Sequence, residues 1–376
     1  MKNTIYRYIF NEFFRYFFIT LFALAIVVWT IQSVNFLDLV TEDGHAFTIY
    51  FVYSFLTLSK IFTKLIPFCF LISIVLIIVK LEKDNELITI WTSGLNKIYI
   101  TNLILRISLV VMLLQLVFTT LINPTFLNLS RSILKNSELQ FIPSLLKEKQ
   151  FNDTIDGLTI FVERKDENDT YKNIFIRDDG NVLSKVGGKA STIFARSGHV
   201  SEDEKHLILY DGNIQKLQEG GNVNIVKFQK TILNLAGLST QSISQPKMQE
   251  TPTIRILSCV LKMNKNKKIH NCENSKKSLM DNKIEMNKRF GMPIFIPLIS
   301  LVCAFLLSSR RDKKIYIYNK YIYFFIGFVI LGMSEILVRY SGISWFYTAI
   351  YYLFPLLMLP LFYLTLIRKF KYENLN

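Results

Sequence analysis

Six long apolar segments in two groups of three, separated by a mostly polar stretch at 123–288, constrain this chain more than any other feature. A helix needs about 20 mostly apolar residues to cross the hydrocarbon core of a bilayer. Lipid offers the backbone no hydrogen bonds, so a helix, which satisfies its own, is the default for such a segment. The predicted spans are 13–36, 61–79, 98–122, 292–307, 321–338 and 345–367.

These spans predict a polytopic α-helical membrane protein with six transmembrane helices, three on each side of an inserted domain. The expected domains are 1–122, with an interfacial helix and spans one to three; 123–288, the insert; and 289–376, with spans four to six. The stretch IYRYIFNEFFRY is amphipathic and is expected to lie at the membrane surface. Residues 13–36 are too long for a signal-peptide core, so no cleaved leader is expected.

The net charge of +15 is high enough to suggest nucleic acid, but its distribution favours a membrane instead. Lys and Arg lie beside one set of span ends, whereas 37–59 holds three acidic residues and no Lys or Arg. By the positive-inside rule, both termini are expected in the cytoplasm and the insert outside it. The basic residues beside the inner ends are Lys2, Arg7, Arg15, Lys80, Lys83, Lys97, Arg310, Arg311, Lys313, Lys314, Lys320, Arg368, Lys369 and Lys371.

Between 157 and 235 the pattern changes to short runs rich in Ile, Val, Phe and Thr, separated by turn signals such as DDGN and EGGN. Runs of this kind predict β-strands. The predicted strands are GLTIFVER, YKNIFIRD, ASTIFARSGHV, HLILYDG and NVNIVKFQKTILNL. Short strands at even spacing indicate an antiparallel sandwich or roll, so the insert is expected to be jelly-roll-like. From Pro252 to Arg289 the chain is expected to be helical.

The sequence contains neither a P-loop nor a G-x-S-x-G elbow, and its His and Cys residues have no metal-ligand spacing. No cofactor, metal or catalytic residue is therefore expected. The spans also lack the chain of Asp, Glu and His that marks a proton-driven carrier. Glu335 is the clearest acid within a span, and it is expected to pair with Arg339, four residues later on the same helix face.

Two of the four cysteines, Cys69 and Cys303, fall in predicted spans, while Cys259 and Cys272 fall near the end of the insert. A bridge between Cys259 and Cys272 is permitted in an oxidising compartment. The helical pattern around them nevertheless favours two free thiols.

Three features together resemble one family. The run LIPFCF through VKLEKDNELITIWTSGLN is similar to the family pattern in which a Pro begins an outer half-helix and a cytoplasmic stretch holds a Glu and a later Gly, here Pro67, Glu86 and Gly94. EMNKRFGMPIF resembles a Glu-x-x-x-Arg signature, with Glu285, Arg289 and Pro293. With the three-plus-three topology, these segments resemble the LptF/LptG lipopolysaccharide-export permeases.

Within that family the β region is most like LptF, because GLTIFVERKDENDTYKNIFIRD resembles its strand–turn–strand and SGHV resembles the start of a later strand. One departure lies in the Glu-x-x-x-Arg signature, where Asn287 or Lys288 occupies a position that commonly holds His or Trp.

The resemblance implies the permease subunit of an ABC transporter in the cell inner membrane, without catalytic activity of its own. Its implied partners are a second LptF/LptG-type permease, a homodimer of a cytoplasmic P-loop ATPase, and a periplasmic bridge that includes a membrane-anchored β-jelly-roll protein. Lipopolysaccharide would leave the outer leaflet of the inner membrane and pass through a periplasmic β domain to that bridge. No nucleic acid is expected.

A site for such a lipid needs cations and an apolar wall at the outer interface. Lys60 and Lys64 are four residues apart, so they share a helix face, and they are expected to contact lipid phosphates. Phe22, Ile26 and Trp29 are candidates for the wall. The alternatives are interfacial snorkelling for the lysines and ordinary lipid or helix contact for the apolar residues. In the β domain, the candidates for an acyl-chain groove, or simply for its core, are Ile160, Phe175, Ile193, Phe194 and Phe228.

The stretch 81–96 is expected to hold a short amphipathic helix that inserts into a groove of the ATPase. By the resemblance, Glu86, Leu87, Trp91 and Gly94 belong to this coupling element, with Glu86 pairing with an Arg of the ATPase. The alternative is a solvated acidic turn.

Two other classes of function remain open from the residues alone. One is a membrane-anchored envelope sensor or assembly factor whose β domain binds a lipid or protein ligand. The other is a membrane enzyme that acts on lipids, which the absence of a catalytic constellation disfavours.

Overall fold

The computed structural model describes residues 2–37, 40, 47–136, 146, 148–155, 157–166, 170–179, 191–201, 206–217, 223–234, 247–261, 272, 276–308 and 315–375. The chain divides into two compact units. One, the helical unit, comprises Met1–Thr30, Thr57–Asn128 and Lys247–Asn376. The other, the sheet unit, comprises Ile31–Leu56 and Leu129–Pro246.

The first three spans are longer helices than the sequence pattern predicted. Helix α1 is Lys2–Asn35, so the amphipathic stretch and the first span are one helix. Helix α2 is Phe47–Lys83 and begins well before residue 61, because 47–59 is apolar and contains no Pro or Gly. A short helix, α3, covers Glu86–Thr92. Helix α4, Lys97–Val117, continues through a π-helical turn, Phe118–Ile122, into α5, Asn123–Asn136.

The chain that follows the sheet is helical wherever the structure describes it from Thr253 onward, apart from short connections. Helix α6 is Thr253–Val260 and α7 is Lys276–Gly291. A 3₁₀ turn, Met292–Ile294, leads into α8, Phe295–Ala304, which ends in a second turn, Phe305–Ser308. The last two helices are α9, Ile315–Ser341, and α10, Trp345–Leu375.

Six stretches of the described chain are long and apolar enough to cross a membrane, which confirms the predicted three-plus-three layout. They are Thr4–Asn35, Phe47–Lys83, Lys97–Leu134, Lys276–Ser308, Tyr318–Ser341 and Trp345–Tyr372.

The core of the helical unit follows from the spacing of its apolar residues. Along α1 every fourth residue is buried, which places one stripe against the other helices and leaves the opposite face exposed. All ten residues of α8 are buried, as expected for a helix that is apolar on every side and lies at the centre of a bundle. The buried stripe of α1 consists of Ile9, Phe13, Phe17, Leu21 and Ala25.

The sheet unit contains one antiparallel sheet of six strands, in which each strand pairs with its neighbours in sequence. Five strands correspond to the predicted runs, and β1 was not predicted. Its short segment, FNDTI, has three consecutive polar residues and so shows no clear alternation. The strands are β1 Phe151–Ile155, β2 Leu158–Lys165, β3 Thr170–Asp178, β4 Ser191–Val200, β5 His206–Leu217 and β6 Val223–Asn234.

The two faces of this sheet differ in burial. One face holds the core, in which Leu158, Ile160 and Val162 of β2 alternate with more exposed neighbours. On the opposite face four phenylalanines lie side by side across β1 to β4, because the strand register pairs each with the next. Their ring centroids are 4.6 to 6.3 Å apart. This row, the phenylalanine ladder, consists of Phe151, Phe161, Phe175 and Phe194.

Cys259 and Cys272 form a disulfide, with their Cα atoms 5.9 Å apart. The expectation of two free thiols was wrong, because it assumed one helix through both residues. Helix α6 ends at Val260, one residue after Cys259, so the chain can bring Cys272 back to it. Cys69 and Cys303 are free and buried.

Candidate functional site

A cavity lies in the helical unit, beside the middle of α2, the C-terminal ends of α4 and α7, and the C-terminal part of α9. Its volume is about 70 Å³, which is large enough to hold water. Its lining is predominantly polar and charged, and consists of Lys60, Thr63, Lys64, Pro67, Gln115, Thr119, Asn123, Gln249, Glu285, Lys288, Arg289, Met292 and Glu335.

The first link across the cavity originates at Pro67. The resemblance implied that this proline begins a half-helix. It lies instead inside the continuous helix α2. Proline has no N–H, so the carbonyl of Thr63, four residues earlier, loses its α-helical donor. Gln115 of α4 donates its Nε2 to that carbonyl at 2.7 Å. The proline thus creates a polar contact between two spans.

The same arrangement occurs at two further prolines. Pro293 removes the α-helical donor for the carbonyl of Arg289, and the hydroxyl of Thr119 donates to that carbonyl at 2.9 Å. Pro124 does the same for the carbonyl of Thr120, which accepts from the hydroxyl of Thr253 at 2.5 Å. Both threonines of the third span lie in its π-helical turn, a distortion frequent at functional sites.

Arg289 is only 2 % exposed, and all three nitrogens of its guanidinium group donate hydrogen bonds. Its Nε donates to Glu285 Oε1 at 3.0 Å, and Nη1 donates to the hydroxyl of Thr253 at 2.8 Å. Nη2 donates to the carbonyls of Met248 and Gln249 at 3.3 and 3.2 Å. Arg289 therefore fixes the segment that precedes α6 against α7, and Glu285 neutralises its charge.

The remaining charges of the cavity are not balanced. Lys60 is half-buried and lies within electrostatic range of three lysines, Lys64, Lys247 and Lys288, and of one carboxylate, Glu250. In the described part of the chain neither Lys60 nor Lys64 has an ion pair. Glu335 lies 3.6 Å from Lys288, so its expected pairing with Arg339 was wrong. The fourth span packs against the fifth, which brings Lys288 closer to Glu335 than the arginine on its own helix.

Gln115, which also lines the cavity, has a side-chain oxygen without a hydrogen-bond donor in the described part of the chain. It is 2 % exposed, and its Oε1 has no hydrogen-bond partner among the described residues. A buried amide oxygen without a donor costs free energy, so the site is suited to a donor supplied from outside the chain.

A different set of contacts occurs around α3, which lies between the C-terminal end of α2 and the N-terminal end of α4. Glu86 is half-buried and accepts a hydrogen bond from the hydroxyl of Tyr8 at 3.1 Å. Leu87 is buried in the bundle core, and Trp91 packs against the core with Lys97 over its ring at 5.9 Å. Gly94 has φ +83°, a left-handed conformation that ends the turn after α3 and favours glycine.

Exposed residues complete the description of this region. Ile88 is 56 % exposed, so it is the large apolar side chain of α3 that faces away from the bundle. Nearby, Lys80 of α2 pairs with Glu12 of α1 and lies over the ring of Tyr16. These pairs join α1 to α2 and α3.

The residues predicted as an apolar wall do not line the cavity. Phe22 and Ile26 are exposed on the outer face of α1, and Trp29 is half-buried. The ring of Phe22 nevertheless contacts Phe62, at 5.8 Å, between the two predicted lysines in sequence. The wall residues thus stand beside the lysine-bearing helix and outside the cavity.

Six residues that the sequence singled out for different reasons line the cavity together: Lys60, Lys64, Pro67, Glu285, Arg289 and Glu335. Sequence reasoning missed Gln115, Thr119 and Lys288 as members. A signal for two of them was present: prolines inside spans predict freed carbonyls, and polar residues four apart on a neighbouring span can donate to them. Among the described residues no group of His, Cys, Asp and Glu is arranged to hold a metal ion.

Six apolar helices, a charged cavity among them and an inserted antiparallel sheet define a multi-pass membrane protein with an extramembrane β domain. The chain matches the family model "Lipopolysaccharide export system permease LptF/LptG" over residues 7–369 and belongs to that family. The predicted resemblance is confirmed at this level.

The chain is also 27% identical over 225 residues to the Rickettsia prowazekii (strain Madrid E) protein named "Uncharacterized protein RP871". The similar region covers 59% of this chain and 61% of that protein.

Proposed function

We propose that this chain is a non-catalytic permease subunit that exports lipopolysaccharide and is driven by a separate cytoplasmic ATPase. The observation that carries the proposal is the match to the LptF/LptG permeases over nearly the whole chain. The sequence has no P-loop, so ATP hydrolysis belongs to a partner, for which a P-loop ATPase homodimer is the natural engine. A second permease of the same family completes the membrane part.

In this proposal both termini lie in the cytoplasm and the sheet unit lies in the periplasm. The distribution of Lys and Arg supports that orientation. The disulfide between Cys259 and Cys272 supports it independently, because disulfides persist in oxidising compartments and are rare in the cytosol. Without reductant, a thiol-reactive maleimide added to denatured native membranes should label Cys69 and Cys303 alone. Labelling of all four cysteines argues against the orientation.

The helix α3 is the proposed coupling element. Leu87 and Trp91 fix it to the bundle, Gly94 ends it, and Ile88 is exposed for insertion into an apolar groove. Glu86 is held by Tyr8 of α1, so a pull on this carboxylate by an Arg of the ATPase would act on α1 as well as on α3.

Lys60 and Lys64 are the proposed phosphate contacts of the substrate. They have no ion pair within the described chain, and Arg289, the other strong cation of the cavity, is already neutralised by Glu285. Phe22, Ile26 and Trp29 lie on a neighbouring helix, where acyl chains could rest while the phosphates reach the lysines. Pro67, Glu285, Arg289 and Pro293 shape the cavity and do not contact the lipid.

The β domain is the proposed exit path toward the bridge protein. Of the five predicted groove residues, Ile160, Ile193 and Phe228 belong to the buried face, whereas Phe175 and Phe194 belong to the phenylalanine ladder. The edge strand β6 exposes Val223, Ile225 and Ile232, and an edge of this kind can pair with a strand of another β-jelly-roll protein.

Co-purification tests the proposed function most directly. The tagged full-length chain, extracted from its native membrane in mild detergent, should bring down a P-loop ATPase and a second permease in fixed ratio. Depletion of the chain should leave lipopolysaccharide in the inner membrane. Absence of an ATPase together with normal lipid distribution would contradict the proposal and favour a sensor or assembly factor.

A further inference from the structure

The cations around the cavity fall into two groups. Arg289 makes four hydrogen bonds and is paired with Glu285, so it is unavailable to a ligand. Lys60, Lys64 and Lys288 face the same cavity, and of the two carboxylates in its lining Glu285 is paired with Arg289, which leaves Glu335 for the lysines. These four residues carry a net charge of +2, from three positive and one negative side chain. Such an excess in a concave site attracts an anion.

The contact between Lys288 and Glu335 is loose. Its 3.6 Å separation is beyond the 2.7–3.2 Å range of a good hydrogen bond, and the carboxylate side chain is 47 % exposed. An exposed pair of this kind is held weakly. A phosphate carries more charge than a carboxylate and offers more acceptor oxygens, so it can replace Glu335 at Lys288.

Gln115 adds a requirement that a bare phosphate does not meet. Gln115 belongs to the cavity lining, and its Nε2 is committed to the carbonyl of Thr63, which fixes the amide and leaves Oε1 buried without a donor from the described residues. A fully ionised phosphate has no proton to donate. The matching ligand therefore carries a hydroxyl or an amide N–H near its phosphate, as a phosphorylated amino sugar does.

We propose that Glu335 is the resident counter-ion of Lys288 and is displaced when a phosphorylated sugar binds. Its phosphate lies among Lys60, Lys64 and Lys288, and an adjacent hydroxyl or amide N–H donates to Gln115 Oε1. Lys64 is exposed, so the headgroup of a lipid can reach the cavity from the protein surface. This inference rests on the proposed function and adds two determinants of specificity, the exchange at Lys288 and the acceptor at Gln115.

The test uses the full-length protein in nanodiscs of neutral phosphatidylcholine. Three probes are titrated: diphosphorylated lipid A, phosphatidic acid, which has a lipid-linked phosphate without a sugar, and free glucosamine 1-phosphate. Lipid A should bind more tightly than phosphatidic acid. Weaker binding of the free sugar phosphate than of lipid A identifies a lipid headgroup as the ligand, and equal binding identifies a soluble one.

The exchange at Lys288 is tested with charge-neutral variants. Glu335→Gln should tighten lipid A binding about 2- to 5-fold, because the competing carboxylate is gone. Lys288→Gln should weaken binding, and the double variant should match Lys288→Gln alone. Arg339→Gln, one turn further on the same helix and outside the cavity lining, is the matched control and should change nothing. Equal or weaker binding by Glu335→Gln overturns the exchange.

The acceptor at Gln115 is tested through a ratio. Gln115→Leu should weaken lipid A binding roughly 3- to 10-fold, the effect of one hydrogen bond, and leave phosphatidic acid binding unchanged. The ratio of the two affinities does not depend on the folded fraction, so partial misfolding of the variant cannot imitate the result. An unchanged ratio overturns the role of Gln115.

Failure of this inference is distinguishable from failure of the proposed function. If Lys60→Gln with Lys64→Gln abolishes lipid A binding while the Glu335 and Gln115 variants behave as wild type, only the inference is wrong. If lipid A does not bind the wild-type protein at all, the proposed substrate is wrong and the inference fails with it.

Discussion

The cavity lies beside the middle of α2, whereas α3 follows the C-terminal end of that helix, and the charged residues of the two regions differ in their pairing. Beside α3, Lys80 pairs with Glu12 and the carboxylate of Glu86 is held by Tyr8, so charged groups connect neighbouring helices. In the cavity, three lysines share one loosely held carboxylate. Paired charges fix elements to one another, whereas unpaired ones are available to a ligand. The comparison separates a region suited to transmitting movement from one suited to recognition.

Within the described chain the cavity itself contains both internally paired and unpaired cations, and Arg289 is a paired one. It is the most buried cation of the cavity lining, yet it acts as the α3 charges do, because all its contacts are internal. Burial alone therefore does not identify a binding residue, and the presence or absence of an internal partner is the better criterion.

The largest expected effect belongs to Arg289→Leu. Removing one partner of a buried ion pair leaves Glu285 uncompensated and costs about 3–5 kcal/mol of stability. The measurement is thermal unfolding of the purified protein in detergent, compared with the double variant Glu285→Leu and Arg289→Leu. The double variant should recover part of the loss. If the single variant unfolds at the same midpoint as the wild type, Arg289 does not stabilise the fold and belongs in the same class as Lys60 and Lys64.

The second effect concerns the lysines without internal partners. Changing Lys60 and Lys64 together to Glu should lower lipopolysaccharide crosslinking more than about tenfold, equivalent to ~1.4 kcal/mol, while the unfolding midpoint stays nearly constant. The matched control changes Lys276 and Lys277 to Glu, the same charge difference on exposed positions outside the cavity lining. If both double variants crosslink and export normally, phosphate recognition at the cavity is refuted.

The third effect tests the α3 region as an attachment point. Glu86→Arg should reduce co-purification of the ATPase several-fold, since like charges would face each other in place of an ion pair. Tyr8→Phe serves as the control, because it removes the internal hydrogen bond and keeps the carboxylate. Retention of the ATPase by Glu86→Arg would mean that Glu86 serves only to hold α1.

The smallest effect is expected for Glu12→Gln. Its pair with Lys80 is partly exposed, so the loss of stability should not exceed about 1 kcal/mol, well below that of Arg289→Leu. Thermal unfolding under the same conditions provides the measurement. A loss as large as that of Arg289→Leu would remove the contrast between the two pairs.

The pattern of apolar residues predicted the spans and five strands, because periodicity is local information that the folded chain preserves. It missed β1, whose three consecutive polar residues obscure the alternation, and it began the second span too late in the chain, because 47–59 was interpreted as part of a loop. The disulfide was missed because the break in the helix after Val260 has no strong local signal.

The cavity was predicted only in part. Lys60 and Lys64 were found by their spacing, and Glu285 and Arg289 by a family signature. Gln115, Lys288 and Glu335 are more than 45 positions apart from one another, and only the packing of helices brings them together. Sequence spacing predicted that Glu335 pairs with Arg339 on its own helix. In the structure Glu335 pairs instead with Lys288 of another helix.

The three prolines that free helix carbonyls restrict how the spans can separate. An unsatisfied carbonyl in hydrocarbon costs several kcal/mol, so the carbonyls of Thr63, Thr120 and Arg289 cannot lose their side-chain donors while they face lipid. Each donor, however, can release its carbonyl by rotating a side chain, without unwinding a helix. Separation of the second, third and fourth spans therefore requires water or ligand hydroxyls at these carbonyls. The entry of water at these three carbonyls and the separation of the three spans must therefore occur together.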